Sequence, residues 1–492
     1  MTVTAPERTR TLSNVIGGEE RPAESGAIFE KLAPANGRVL SLVPRSAAPD
    51  VDAAVSAAVS AQPDWARRPA PERGLVLRRI AALLERDREP IAEIVAAETG
   101  KSPKDARGET DGAIEMGYFV AGEGRRLYGR TTTSAVPNRQ AMIVRQPLGV
   151  AGLIIAANTP IANVAWKVFP ALLCGNAAVL KAPEDTPETA LAFARLAAEA
   201  GVPPGVLNIV HGLGPEAGQP LVEDPRVAIV SFTGSTAVGR MIARVAGERL
   251  AKVCLELGGK NPLVVCEDAD LARAADAAAL SAFSNAGQRC SAGSRIIVWD
   301  RVYDRFRELL LERAAAQRVG PGDEHDFGPV INERQLISML AAVDRARKGG
   351  ARVIAGGERL ADSEHDGGFY LAPTLVEDAP LESELSCTEL FGPIATLHRV
   401  SSFDEALAAA NASPYGLTAA IWTASVHRAQ EFLGRIASGV AAVNGPTYGS
   451  EPHMPFGGVR DSGTGWREAG TEAIEVYSDL KTLYVNHDPT AV

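Results

Sequence analysis

Cys290 stands in the run Ser284-Asn-Ala-Gly287-Gln-Arg289-Cys290-Ser-Ala-Gly293, flanked by Gly, Gln and Arg instead of core residues. Most free cysteines behave as small buried hydrophobes. A loop setting, a helix start nearby and the adjacent Arg289 would instead favour the thiolate, which makes Cys290 the candidate nucleophile. Glu256, in Cys254-Leu-Glu256-Leu-Gly258-Gly259-Lys260, closes an apolar strand and is followed by two glycines that allow close approach of a ligand or of backbone. A desolvated carboxylate there would have a raised pKa and could serve as general base, whereas the same residue on an exposed strand edge would carry no chemistry.

Three further sites suit a nucleotide. Ile229 to Phe232 is an apolar strand that turns through Gly234 into a helix opening with Ser235 and Thr236, a setting whose free N–H groups suit a phosphate or simply an N-capped turn. Gly234 to Gly239 has P-loop spacing, but Arg240 and Met241 replace the Lys and the Ser or Thr that a nucleoside triphosphatase needs. The cluster Gly212-Leu-Gly214-Pro-Glu-Ala-Gly218 follows a strand without the Gly-x-Gly-x-x-Gly spacing. Lys181-Ala-Pro-Glu184 sits at a strand end, where a carboxylate could accept two ribose hydroxyls or merely face solvent.

The elements that must position these residues follow from hydrophobic periodicity. Short apolar runs at Val150 to Ala156, Ala177 to Leu180, Val206 to Val210, Val227 to Phe232 and Lys252 to Leu257 alternate with helical patterns at Ile161 to Leu173, at Pro187 to Glu199 and at Val238, Met241, Ile242 and Val245. That alternation predicts a parallel sheet with helices on its faces. Asn261-Pro262 and Asp268-Ala-Asp270 are expected to open a second α/β segment, with an Ala-rich helix to Asn285, a strand near Ile296 to Trp299 and a helix from Val302 to Ala315. Upstream, Ala53 to Ala97 predicts a surface helix pair whose apolar stripe includes Leu75, Leu77, Ile80, Leu83 and Leu84. Thr131 to Val144 predicts an extended arm or hairpin, which the alternating tail Glu475 to Asn486 could join as a terminal strand.

Composition narrows the classes. At 492 residues the chain has room for about three domains, and its 46% hydrophobic and 22% charged residues fit a globular protein. The net charge of −10, without a Lys/Arg-rich block, argues against a nucleic-acid partner. Five widely spaced cysteines without a Cys-x-x-Cys pair predict no metal site and a reducing cytoplasm. Met1 to Ile16 is polar and carries Glu7, Arg8 and Arg10, so no secretory leader is expected, and no apolar stretch reaches the about 18 residues of a membrane span.

From about Ala53 to Tyr484 the chain resembles the NAD(P)-dependent aldehyde dehydrogenase superfamily. The motifs that carry the resemblance are Phe232-Thr-Gly-Ser235-Thr, Leu255-Glu256-Leu-Gly-Gly-Lys260, Gly287-Gln-Arg-Cys290, Glu389-Leu-Phe391-Gly-Pro393, and Pro455-Phe456-Gly-Gly458 with Ser462-Gly-Thr-Gly465. The resemblance implies an α/β fold with a Rossmann-type parallel-sheet cofactor domain (1–127 and 148–257), a second α/β catalytic domain (258–460) and a small β oligomerisation arm (128–147 and 474–492). It implies Cys290 as nucleophile, Glu256 as base and Asn158 as the oxyanion-hole side chain. Lys181 and Glu184 would hold the adenosine ribose, Ser235 the pyrophosphate and Glu389 the nicotinamide ribose, with Phe391 near the nicotinamide and Gly214, Ile154 and Ala156 also lining the cofactor site. Arg289, Asn163, Trp166 and Phe456 would face the substrate.

NAD is the expected cofactor, ahead of NADP, because a carboxylate at Glu184 repels a 2′-phosphate. Two departures stand out: Ala156-Ala157 precede Asn158 where relatives often carry Pro-Trp, at the wall around the nicotinamide, and Thr159, Ala162 and Asn163 stand in the substrate tunnel where relatives with apolar substrates carry bulky apolar residues. With Arg289 beside the nucleophile, these small or polar tunnel residues suggest a polar or ω-carboxylated semialdehyde oxidised to the acid; the alternative is an Arg289 that points away from the tunnel and pairs with a neighbouring acid. The alternatives are a CoA-acylating relative, against which Glu256 argues, and a catalytically silent homologue, against which the intact Cys290, Glu256 and Asn158 argue. A homodimer or homotetramer is expected.

Overall fold

The computed structural model describes residues 9–491, so Glu7 and Arg8 of the polar N-terminus lie outside the described residues. All five predicted strands of the first segment form, as Val150–Ile154, Ala177–Lys181, Leu207–Val210, Val227–Thr233 and Lys252–Glu256. They lie parallel in one sheet that runs from Lys252–Glu256 through Val227–Thr233, Val150–Ile154 and Ala177–Lys181 to Leu207–Val210. A hairpin made of Asn14–Ile16 and Glu19–Arg21 extends it antiparallel beyond Leu207–Val210. The order reverses between Val150–Ile154 and Val227–Thr233, and that switch point opens the crevice in which open α/β sheets take their ligands.

A second seven-stranded sheet is built from Asn261–Val265, Gly293–Trp299, Arg352–Ala355, Thr374–Glu377, Ile394–Val400, Thr418–Trp422 and Val440–Val443. All its pairings are parallel except the one that adds Arg352–Ala355 at an edge. Asn261-Pro262 opens this second segment, as expected. It begins a central strand, and the register shift against Gly293–Trp299 falls between these two residues, where the missing proline N–H would have broken a regular ladder.

The helical region upstream differs from the expected surface pair. Three helices form, Ala48–Arg67, Ala70–Arg86 and Arg88–Thr99, and a fourth, Pro103–Glu123, follows them. Leu77, Ile80 and Leu84 are fully buried, because Ala70–Arg86 packs against Pro103–Glu123, but Leu75 is 51% exposed. The stripe was drawn too wide: Leu75 lies on the helix face opposite the packed one. Gly100, with φ of 77°, ends one helix, and the Ser102 hydroxyl caps the next by accepting from Asp105 N at 3.1 Å. Pro103–Glu123 lacked a clear apolar stripe in the sequence because one of its faces lines a cavity.

The arm is the chain's own. Ser478–Asn486 pairs antiparallel with Arg139–Pro147, which pairs in turn with Arg130–Thr133. No helix among the described residues is long and apolar enough to cross a membrane.

Candidate active site

At the sheet switch point the chain leaves strand Val150–Ile154, passes Ala156 and Ala157, and enters helix Pro160–Leu173 through Asn158 and Thr159. Across from it lies the loop that follows helix Leu271–Phe283, in which Asn285, Ala286 and Gly287 all take positive φ. This turn presents Gln288, Arg289 and Cys290 to a cavity of about 530 Å³. Asn158, Asn163, Trp166, Glu256, Arg289, Cys290 and Phe456 all line that cavity, so residues up to about 300 positions apart in sequence meet at one place.

Each chemical group is held by identifiable contacts. Asn158 Nδ2 donates to the Gln288 carbonyl at 3.0 Å, which leaves its second amide hydrogen free to face a developing oxyanion. Asn261 Nδ2 donates to the Cys290 carbonyl at 2.8 Å and fixes the backbone there. The Leu-Glu-Leu-Gly-Gly segment is clamped by the Ser-Gly-Thr-Gly motif: Leu257 N donates to Ser462 O at 3.0 Å, Ser462 Oγ to Gly258 O at 2.7 Å, and Leu255 N to Thr464 Oγ1 at 3.2 Å. The glycines there are steric necessities. A Cβ on Gly258 would collide with the Glu389 carboxylate, one on Gly259 with the Cys290 carbonyl, and one on Gly457 would come within 2.7 Å of Glu256 Oε1.

Electrostatics separate the site from the sequence expectation at one point. Burial, and then the charges of Glu389 and Glu256, push the Cys290 thiol up to about 12, and Arg289 offsets this least of the contributors. These surroundings favour the thiol at Cys290 over the thiolate that the loop setting and Arg289 suggest. Arg289 instead lies over the Tyr448 ring at 4.8 Å, and its buried Nε has no hydrogen-bond partner. Glu256 is desolvated as anticipated: burial and then the Glu468 charge hold its carboxyl well above the usual range, and neither oxygen has a partner.

Lys181 and Glu184 lie at the end of strand Ala177–Lys181, Ser235 follows strand Val227–Thr233, and Glu389 and Phe391 line a cleft with Gly259 and Lys260. Glu184 Oε1 accepts from Gly214 N at 2.7 Å and lies 3.1 Å from Lys181 Nζ. This ties the strand end to the glycine cluster, whose residues Gly214–Gly218 form a widened helical turn. Burial lowers the Lys181 pKa. Ser235 caps helix Thr236–Glu248, and the neighbouring Thr233 Oγ1 is buried without a partner. Glu389 Oε1 accepts from Gly259 N at 3.0 Å, and burial pushes its carboxyl up to about 7. Phe391 follows it with φ of 59°. Carboxylates that can accept sugar hydroxyls, a helix N-terminus and an orphaned hydroxyl fit a nicotinamide dinucleotide.

Several groups at the site were not singled out from the sequence. Lys167 is buried in the middle of helix Pro160–Leu173, donates to Ser231 Oγ at 2.9 Å and pairs with Glu468, which lines the cavity. Lys101 and Glu109 form a second buried ion pair at the cavity wall. A charged residue inside an otherwise apolar helix was the available signal for Lys167. For Lys101 it was a lone lysine between a helix-ending glycine and a Ser-Pro helix start. Cys387 ends the short helix Glu384–Cys387.

Comparison with known proteins adds three findings. The profile of the aldehyde dehydrogenase family matches residues 21–483. Alpha-ketoglutarate semialdehyde dehydrogenase of Haloferax volcanii is 39% identical over 473 residues, 96% of this chain and 98% of that protein, and alpha-ketoglutaric semialdehyde dehydrogenase of Bacillus subtilis is 37% identical over 478 residues, 96% and 98% of the two chains. Among solved structures, an NADP-dependent enzyme of E. coli has a TM-score of 0.93 at 35% identity, covering 97% of this chain and 98% of that one. Betaine aldehyde dehydrogenase of Staphylococcus aureus in complex with NAD+ has a TM-score of 0.95 at 31% identity, covering 97% and 95%.

Proposed function

Because the chain belongs to the aldehyde dehydrogenase family, we propose that it oxidises a carboxylate-bearing semialdehyde of about five carbons to the dicarboxylate, with NAD preferred over NADP. The observation that carries the substrate reading is Arg289. It sits next to the nucleophile in the cavity wall with an unpartnered Nε, and no carboxylate among the described residues pairs with it. A guanidinium left without an anion in a water-poor site is a natural receptor for one brought by the substrate. The small or polar Thr159, Ala162 and Asn163 on the opposite wall leave room for a polar chain. The alpha-ketoglutarate semialdehyde dehydrogenases among the relatives act, by name, on an aldehyde of this kind.

The roles follow from the geometry. Glu256, buried with both oxygens free, is the group able to accept the Cys290 proton, so the thiolate forms as it attacks the aldehyde carbon. The free amide hydrogen of Asn158 meets the oxygen of the resulting thiohemiacetal. Lys181, Glu184, Gly214, Ser235, Glu389 and Phe391, with Ile154 and Ala156 at the crevice wall, would hold the dinucleotide, which when bound accepts the hydride leaving the substrate carbon. Once it has passed the Cys290 proton to solvent, Glu256 takes a proton from the water that hydrolyses the thioester, and this is the step a CoA-dependent relative would replace. Glu184 carries the NAD preference, since its charge opposes a 2′-phosphate.

We assign 1–127 and 148–257 to the cofactor domain, 258–460 to the catalytic domain, and 128–147 with 474–492 to an arm for homodimer or homotetramer assembly. The test of substrate class compares kcat/KM for succinic and glutaric semialdehyde with that for butanal and pentanal. The semialdehydes should lead by about tenfold or more, the yield of one charge-assisted pair, and Arg289→Ala should abolish the lead. A lead that survives the substitution, or a preference for alkanals, overturns the reading.

A further inference from the structure

We infer that the buried ion pair of Lys101 and Glu109 is the device that fixes Asn158 in the oxyanion position, which makes both of them positioning residues for aldehyde oxidation. The inference rests on the assignment of Asn158 but not on the substrate class.

Local sequence places Lys101 where it can act. Gly100 ends one helix and Ser102 caps the next, so Lys101 is held in a one-residue link between two rigid elements. Its Nζ donates to the backbone carbonyl of Asn158 at 2.8 Å and pairs with Glu109. Glu109, two turns into helix Pro103–Glu123, uses Oε1 to accept from Ile161 N at 2.9 Å and Ala162 N at 3.3 Å. Helix Pro160–Leu173 has no side-chain cap of its own at Thr159, so its first N–H groups are satisfied from another helix. The pair thus grips the chain on both sides of the Asn158–Pro160 entry, by the carbonyl of Asn158 and by the first amides of the helix it leads into. Among the described residues, the one other hydrogen bond to that carbonyl comes from Asn285 Nδ2 at 3.4 Å.

The two side chains are 3% and 5% exposed. Burying an ion pair this far gains little stability over apolar residues of the same volume. What it supplies here is direction: a cation on a carbonyl and an anion on a helix N-terminus define where the loop between them sits. An oxyanion donor displaced by about 1 Å loses most of its effect, because such donors must already be aimed when charge develops.

The test uses the full chain with Lys101→Met and Glu109→Gln, assayed with NAD on an alkanal and on a carboxylated semialdehyde. We expect kcat to fall by about 10- to 100-fold for both aldehydes alike, with KM for NAD within twofold of wild type. A loss confined to the carboxylated substrate would overturn the inference and move these residues to substrate recognition. Alkylation of Cys290 by iodoacetamide develops no oxyanion, so its rate should stay within about twofold of wild type in both variants; a parallel fall would mean collapse of the site and would overturn the inference. Against Asn158→Ala, adding Lys101→Met should cost less than about threefold further, because the second residue acts through the first. Multiplying losses would show an independent role and sink it. Should Lys101→Met fail to fold, Glu109→Gln, which keeps an acceptor for the helix amides, carries the same four measurements.

Discussion

Cys290 and Glu256 share one cavity, and burial favours the neutral form of each: the thiol is pushed up to about 12, the carboxyl well above its usual range. An acid group whose neutral form is favoured by its surroundings reacts only as fast as its anion appears. In the cofactor-free protein, alkylation of Cys290 by iodoacetamide should therefore rise about tenfold per pH unit from pH 7 to pH 9 without levelling. A plateau near pH 8 would mean an activated thiolate at rest. Glu256→Gln removes the proton acceptor but keeps the shape, so deacylation should slow by about 100-fold or more, and intact-protein mass spectra after substrate and NAD should show the acyl adduct on Cys290. Unchanged turnover would remove Glu256 from the mechanism. The residue identities were legible from the motifs. The thiol's protonation state was not, because it depends on how much of the surrounding water the folded walls exclude.

Helix Pro160–Leu173 links the two chemistries of the site. Its N-terminal approach carries Asn158, and its middle carries Lys167, fully buried and joined to Ser231 of strand Val227–Thr233 and to Glu468. Removing one partner of such a pair leaves a buried charge uncompensated, which costs about 3–5 kcal/mol. Lys167→Met should thus lower the melting temperature, and Lys167→Met with Glu468→Leu should recover most of the loss. If the double variant is no better than the single, the pair is not the source of the cost. Lys167 also lowers, and Glu468 raises, the proton affinity of Glu256. The single variant should therefore shift the pH–rate profile to higher pH, because Glu256 then needs more alkaline conditions to lose its proton. The helix itself was readable from its spacing, from Ile161 to Leu173. The partner of its lysine, 301 positions away, was not.

At the scale of the whole molecule, the arm is the feature that asks for a partner. Strand Ser478–Asn486 pairs along its full length with Arg139–Pro147 and leaves its other edge open. Leu480, Tyr484 and Val485 on this strand are 56%, 60% and 47% exposed. An unpaired edge with apolar side chains is a surface that soluble proteins cover. Leu480→Lys combined with Tyr484→Glu should lower the mass found by sedimentation to that of a smaller assembly while the far-UV spectrum is kept. An unchanged mass would exclude the arm as an assembly surface.

Sequence alone determined the parallel-strand grammar from Val150 to Leu257, because strands buried on both faces are continuous apolar runs and here they alternate with helical patterns. The family resemblance carried by its motifs named Cys290, Glu256 and Asn158 as the chemical cast, and the fold brings all three to one cavity. Hydrophobic periodicity misplaced Leu75, because the width of a buried stripe depends on what packs alongside. Only the tertiary structure decided that Arg289 is left without an anion, that the surroundings of Cys290 favour its thiol, and that Lys101 and Glu109 grip the Asn158 loop. Each of these is a property of distance between residues far apart in the chain, and desolvation and Coulomb interaction act through space, not along the sequence.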